Sequence, residues 1–124
     1  MKSKSKLLCF VFLVSAVFFI PQIVYSQNDH NMDVVLVIDS SGSMQKNDPL
    51  SFRVPAAKLF ISLLDKGDRA GIVSFSDRGY LLSDLTFVDS LEHQDKLFSA
   101  ADRISADGLY TNLFEAFNSG YETL

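Results

Sequence analysis

The chain has 124 residues, a charged fraction of 21% and a formal net charge of −4 at pH 7. That length allows one ordinary domain, and the acidic balance excludes nucleic acid and anionic lipid as main partners because no basic patch is available to neutralise phosphates. A single cysteine, Cys9, also excludes a disulfide within the chain.

The first 26 residues have the layout of a secretory signal peptide, because three lysines precede an apolar stretch from 7 to 20. Val24 and Ser26 suit the −3 and −1 positions of a cleavage site, so we expect a cut after Ser26. The protein is then exported (secreted, periplasmic or on the cell surface), with no membrane insertion after cleavage; an uncleaved membrane anchor is the alternative. Cleavage leaves 8 Lys and Arg against 15 Asp and Glu, so 8 − 15 gives a net charge of −7.

A short linker at 27–31 precedes a domain predicted for residues 32–124. The apolar, β-branched run from Val34 to Ile38 predicts a central parallel strand buried on both faces. A helix is predicted next, beginning near Phe52 or Arg53 with Pro55 in its first turn, and ending at Gly67 as its C-cap. Its predicted buried face has helical spacing and consists of Ala56, Leu59, Phe60, Leu63 and Leu64.

The remaining elements continue the alternation of strands and helices. Ala70 to Phe75 predicts a strand, and a short turn through 76–79 joins it in a hairpin to a strand from Tyr80 to Leu85. A second helix reaches Arg103 or Ser105, and a third runs from Thr111 onward. The second helix is predicted to start at a capping box of Asp89 and Glu92 and to bury Leu91, Phe98, Ala101 and Ile104. The third is predicted to bury Leu113, Phe117, Tyr121 and Leu124. Core packing is also predicted for Phe52, Phe60, Phe98 and Phe117. This order predicts an open α/β fold with a doubly wound, mostly parallel sheet and flanking helices.

Candidate site chemistry lies in the loop directly after the first strand, where Asp39, Ser41 and Ser43 alternate along the chain. Ligands of open α/β sheets bind outside the carboxyl ends of the strands, which is where this loop is placed. Gly42 lets the loop fold back, so the three oxygens can converge on a hard cation such as Mg²⁺. The alternative is that Ser and Asp simply serve as turn residues.

Three segments of the sequence resemble the von Willebrand factor type A family: residues 32–44, 67–76 and 107–113. The resemblance implies a Rossmann-like fold and a metal-ion-dependent adhesion site, with no enzymatic activity. Ser41 and Ser43 would be direct ligands, Asp39 often acts through water, and Thr111 is the fourth ligand or alternatively a helix N-cap. Asp107 is a weaker, second-shell candidate. The expected ion is Mg²⁺, with Ca²⁺ or Mn²⁺ as alternatives, and the expected partner is a protein that presents an Asp or Glu carboxylate.

The resemblance also predicts a truncation before the family's fourth strand, which carries its last acidic ligand. One edge of the first strand would then be bare, so residues 27–124 alone are expected to be poorly soluble or partly folded. A structural envelope or matrix module, in which the metal only stabilises, is one alternative function. A metal-dependent hydrolase or phosphotransferase using Asp39 is another, disfavoured because Ser41 stands where such phosphatases have a second aspartate. His30 and His93 are predicted to be solvated.

Overall fold

A computed structural model describes residues 31–124, so the predicted signal peptide, its cleavage site and His30 lie outside the described residues. The elements in chain order are β1 (Asp33–Asp39), α1 (Met44–Asn47), α2 (Arg53–Ser62), β2 (Arg69–Phe75), β3 (Gly79–Phe87), α3 (Leu91–Ala101) and α4 (Leu113–Thr123). No helix in this part of the chain is long and apolar enough to cross a membrane. The predicted α/β class with flanking helices is confirmed.

The three strands form one mixed sheet in the order β1-β2-β3. β1 runs parallel to β2, with Asp33 opposite Arg69 and Asp39 opposite Phe75, and β3 returns antiparallel as the predicted hairpin. β2 is almost fully buried, as expected of a central strand. β1, which was predicted to be buried on both faces, has side chains that are half-buried or exposed, with Val37 37% exposed. The reason is that β1 is an edge of the described sheet.

The helix α2 begins at Arg53 as predicted, but the predicted C-cap is wrong, and of the predicted buried face only Leu64 packs against the core. Ala57 and Ile61 are the buried residues, whereas Leu59 and Leu63 are more than 60% exposed. The helix ends at Leu63 as its C-cap; Gly67, with a φ of 102°, lies in the turn before β2. That turn is held by the buried Asp68, whose carboxylate accepts from the backbone N–H groups of Asp65 and Met32, each at 2.8 Å.

The main core lies between the sheet and the pair α2 and α3. It contains Ala57, Ile61, Ala70, Ile72, Val88, Leu97, Ala100, Ala101 and Ile104. Ala101 on α3 and Ile104 just after this helix are confirmed as core residues, and Phe98 packs against the core, but the predicted Leu91 is 81% exposed. The predicted cap is also one residue off: Ser90 is the N-cap of α3 and accepts from the His93 N–H, while the Asp89 carboxylate contacts His93 Nδ1 at 2.6 Å. The His93 side chain is 35% exposed and pairs with the Asp89 carboxylate.

The helix α4 covers the opposite face of the sheet through small residues. Ala116 and Gly120 are its buried positions, and a Cβ at Gly120 would lie 2.7 Å from a methyl of Val37. The predicted buried face of this helix is wrong, because Leu113, Phe117, Tyr121 and Leu124 are all more than 60% exposed. Phe52 and Phe60 are likewise exposed, at 64% and 40%, so core packing holds only for Phe98 among the four predicted phenylalanines.

Candidate metal site at the carboxyl end of β1

The structure brings Asp39, Ser41 and Ser43 together at the carboxyl end of β1. Asp39 is the last residue of the strand, and its Oδ1 accepts from the Ser41 N–H at 2.7 Å. The hydroxyl oxygens of Ser41 and Ser43 lie 3.0 Å apart. Ser41 is buried and Ser43 is exposed, so the loop carries its oxygens from the interior to the surface just before α1. The alternating pattern in the sequence therefore corresponds to a real cluster of oxygens.

The buried Ser40 ties this loop to the end of β2. Its N–H donates to the Phe75 carbonyl at 2.8 Å, and its hydroxyl donates to the same carbonyl at 3.0 Å. The hydroxyl also lies 3.3 Å from that of Ser74. Because Ser40 is 3% exposed and satisfied by these contacts, the side chains on either side of it are held in fixed directions.

A second loop, residues 102–112, lies directly against the first. Gly42 donates its N–H to the Gly108 carbonyl at 2.6 Å, and Gly108 donates to the Ser40 carbonyl at 3.1 Å, which makes a short parallel bridge beside Ser41. A Cβ at Gly108 would lie 2.2 Å from Ser76 Cβ, so no larger residue fits there without movement. The close approach of the second loop to the end of β2 thus depends on a glycine.

Thr111 and Asp107 lie on this second loop, and both are exposed. The alternative role of Thr111 as a helix cap is wrong, because Asn112 is the N-cap of α4 and accepts from the Glu115 N–H at 3.3 Å. Asn112 also donates its own N–H to the Ser76 carbonyl at 2.7 Å. Asp107 accepts from the Ser105 hydroxyl. Within residues 31–124 neither Thr111 nor Asp107 hydrogen-bonds to the Asp39, Ser41 and Ser43 cluster, so the structure pairs the loops through their backbones.

The donor set of the first loop fits a small, hard cation. Two adjacent ligands of an octahedral Mg²⁺ ion, at bond lengths of about 2.1 Å, are about 3.0 Å apart. The Ser41 and Ser43 hydroxyl oxygens already have that separation, 3.0 Å. Among the described residues, no group of three or more His, Cys, Asp or Glu side chains is placed to hold a metal. The candidate site in the first loop therefore consists of two hydroxyls and one carboxylate, that of Asp39.

Asp77 is a further acidic group near the site, on the turn between β2 and β3. Hydrogen bonds donated by the Ser76 hydroxyl and by the Tyr80 hydroxyl, at 2.8 and 2.9 Å, lower the pKa of its carboxyl. Asp77 lines an open cavity of about 410 Å³ beside the first loop, together with Ser40, Ser76 and Arg103. Asp77 lies in the turn predicted at 76–79, and no local pattern in the sequence indicates that it shares a cavity with Ser40.

Sequence reasoning also missed two groups that hold the second loop. Gln45 on α1 donates to the Ala106 carbonyl at 2.7 Å, and Arg53 at the start of α2 donates to the Ser105 carbonyl at 3.0 Å. Both contacts span more than fifty residues, so no local pattern could have indicated them.

Comparison with known families gives a match along almost the whole described region. The family model of the von Willebrand factor type A domain matches residues 34–124. A mouse (Mus musculus) protein, calcium-activated chloride channel regulator 1, is 34% identical over 76 residues. That alignment covers 60% of this chain but only 8% of the mouse protein, so the chain spans a small part of that relative's length.

Several solved structures have the same fold. An uncharacterized membrane spanning protein from Vibrio fischeri is 30% identical, with a TM-score of 0.62 over 75% of this chain and 48% of its own. The vWF domain of the type V pili tip protein Mfa5 from Porphyromonas gingivalis is 22% identical, with a TM-score of 0.62 over 75% of this chain and 32% of its own. Proximal thread matrix protein 1 from the mussel byssus, with a zinc-occupied MIDAS motif, is 17% identical, with a TM-score of 0.60 over 73% and 24%.

Proposed function

Because this chain belongs to the von Willebrand factor type A domain family, we propose that it is an exported interaction module that binds a partner protein through a divalent metal ion. Domains of this family generally serve as interaction modules without enzymatic activity. In the proposal, Ser41 and Ser43 hold the ion directly, Asp39 holds it through water, and Thr111 approaches from the second loop. Asp107 supports that loop from behind.

The observation that carries the proposal is the 3.0 Å separation of the Ser41 and Ser43 hydroxyls beside the fixed Asp39 carboxylate. Hydroxyl ligands are neutral, and Asp39 is the single carboxylate in this first loop. When bound, a cation held mainly by neutral oxygens retains much of its charge and attracts a carboxylate from outside. A partner Asp or Glu is therefore the proposed ligand.

Mg²⁺ is the proposed ion, because a site with few protein ligands leaves room for the waters that Mg²⁺ retains in its octahedral shell. Ca²⁺ and Mn²⁺ are the alternatives. The byssus matrix protein holds zinc at its motif, so Zn²⁺ is included in the metal series to be tested. Export is proposed from the signal-peptide pattern, in line with similar proteins that stand at a pilus tip and in a byssus thread.

A structural matrix or assembly module, in which the metal only stabilises the fold, is the second candidate function. The fold similarity to a thread matrix protein favours it. The two candidates differ in one measurable respect: removal of the metal weakens binding of a carboxylate partner in the first, and changes only the stability of the domain in the second.

The first test is a calorimetric titration of the full-length protein with Mg²⁺. Asp39→Asn is expected to weaken the Mg²⁺ affinity by about 10- to 100-fold, the loss typical of a group that supports a metal through its outer shell. Asp95→Asn is the matched control, because it removes the same charge from an exposed position of α3. Equal Mg²⁺ affinity of the Asp39 variant and the wild type, with both folded, would count against the site.

Partner binding is tested next with poly-L-glutamate beads as the carboxylate probe. Wild-type protein should be retained in Mg²⁺ and released by EDTA, despite its own acidic charge, and Asp39→Asn should not be retained. Retention that is independent of both metal and Asp39 would refute binding through the metal. A loss of thermal stability in EDTA without any Mg²⁺-dependent retention would favour the structural alternative.

A further inference from the structure

The second loop is hydrogen-bonded on two sides. On one side, its Gly108 exchanges backbone hydrogen bonds with Ser40 and Gly42 of the loop after β1, residues 39–43, called the metal loop below. On the other side, the segment that follows the metal loop donates to two consecutive carbonyls just before Gly108. Gln45 bonds to Ala106 and Arg53 bonds to Ser105. The stretch 105–108 therefore lies between the metal loop and the start of α2, and its position depends on both.

Arg53 is itself held rigidly by Asp48. Its Nη1 donates to Asp48 Oδ2 at 2.7 Å, and only 10% of the Arg53 side chain and 13% of the Asp48 side chain are exposed. The same carboxylate accepts from the N–H groups of Phe52 and Arg53, at 2.7 and 3.2 Å, so it also caps α2. Burial acts to raise the pKa of Asp48, but these hydrogen bonds outweigh it and lower the pKa overall. The Arg53 guanidinium thus has a fixed position, in which Nη2 can donate to the second loop.

We propose that the pair of Arg53 and Asp48 positions the stretch 105–108, and through it the metal loop, for metal binding. This role rests on the proposed metal function. Arg53 acts as a positioning residue: it donates to the Ser105 carbonyl, and Gly108, three residues on, bonds to the backbone on both sides of Ser41. Without that bond, the loop can shift relative to Ser41, and hydroxyl ligands tolerate little displacement in an octahedral shell.

The geometry requires an arginine. Nη1 reaches Asp48 while Nη2 reaches Ser105, and this fork is planar and rigid, whereas a lysine ammonium has one nitrogen on a flexible stem. Arg53→Lys can therefore keep one of the two contacts at most. The chain also offers a matched control. Lys58, five residues further along α2, bonds to the Asp102 side chain at 2.7 Å, but that pair is more exposed and lies at the start of the second loop, outside the stretch 105–108.

The test is the Mg²⁺ affinity of the full-length protein, measured by calorimetry together with the melting temperature of each variant. Arg53→Lys and Arg53→Met are expected to bind Mg²⁺ about tenfold more weakly, in line with the loss of one hydrogen bond to a charged group. Lys58→Met should lower the melting temperature at most slightly and leave the Mg²⁺ affinity unchanged. A purely structural role of Arg53 would move the melting temperature alone, so folded Arg53 variants with wild-type Mg²⁺ affinity overturn the proposal.

If the Arg53 variants do not fold, Gln45→Ala supplies the decisive measurement. Gln45 is exposed, and its substitution removes only the bond to Ala106 from the same stretch. A reduction of Mg²⁺ affinity by about two- to threefold is expected. An unchanged affinity would overturn the positioning role. A wild-type protein that binds no divalent ion would instead overturn the proposed function, so the two failures are distinguishable.

Discussion

Substitution of Gly108 by alanine should disturb the contact between the two loops, and its cost can be worked from the structure. The added Cβ would lie 2.2 Å from Ser76 Cβ, 2.5 Å from Ser76 Oγ and 3.1 Å from the Ser40 carbonyl oxygen. The backbone of Gly108 is bonded on both sides, to Gly42 and Ser40, so it cannot retreat without losing a hydrogen bond. Overpacking of this kind typically destabilises a protein by about 1–3 kcal/mol. Replacement of glycine by alanine also lowers the conformational entropy of the unfolded chain, which stabilises the folded protein by only about 0.4–1 kcal/mol.

The overpacking cost outweighs this gain, so the variant is expected to be about 1–2 kcal/mol less stable, measured as the free energy of unfolding in a urea titration followed by circular dichroism. A second substitution, Ser76→Gly, removes both atoms that the new methyl would meet. The double variant should therefore be more stable than the sum of the two single changes predicts, by at least about 1 kcal/mol. Full additivity, or a Gly108→Ala protein as stable as the wild type, would refute the argument that Gly108 packs directly against Ser76 at the end of β2.

Two further predictions concern stability. Ile61→Ala should lower the free energy of unfolding by about 2–5 kcal/mol, because Ile61 is fully buried in the core. Leu63, two positions later, is 73% exposed, so Leu63→Ala should change it by less than about 1 kcal/mol. Equal losses in a urea titration would contradict the observed buried face of α2. Asp77 has a lowered pKa in the folded state, so its contribution to stability is present above the usual carboxyl pKa and is lost as the pH falls through the lowered value. Asp77→Asn should thus flatten the fall of unfolding free energy below about pH 4, and an unchanged pH profile would show that Ser76 and Tyr80 do not stabilise the carboxylate.

The order of strands and longer helices followed from hydrophobic periodicity, because each segment has a length and composition typical of its class. The buried faces of the helices were predicted less well from the same periodicity. Helix α2 is apolar at most positions, so the spacing of Leu59 and Leu63 fits a buried stripe as well as that of Ala57 and Ile61 does. Which stripe faces inward depends on the sheet and on α3, and this information is not local. The four-residue α1 is too short to show any periodicity.

The N-caps of α3 and α4 each lie one residue after the predicted ones. Asp89 and Ser90 have nearly equal cap preference, so the choice between them depends on where the following turn packs, whereas Asn112 is a stronger N-cap than Thr111. Asp39 was easier, because the pattern of acidic and hydroxyl residues coincides with the end of an apolar strand. Residues that contact the site from distant parts of the sequence, such as Arg53, belong to no recognisable local pattern, so only the folded structure identifies them.

The serines at this edge of the sheet fix the shape of the loop that is proposed to hold an ion, independently of any ion. Ser40 follows the last residue of β1, and Ser74 lies near the end of the parallel strand β2. The Ser40 hydroxyl satisfies the Phe75 carbonyl, while its N–H satisfies the same group from the side. Because Ser40 lies between Asp39 and Ser41, its anchoring fixes the directions of both. Less conformational freedom is then lost on binding, so a site with weak, neutral ligands can still reach useful affinity through preorganisation.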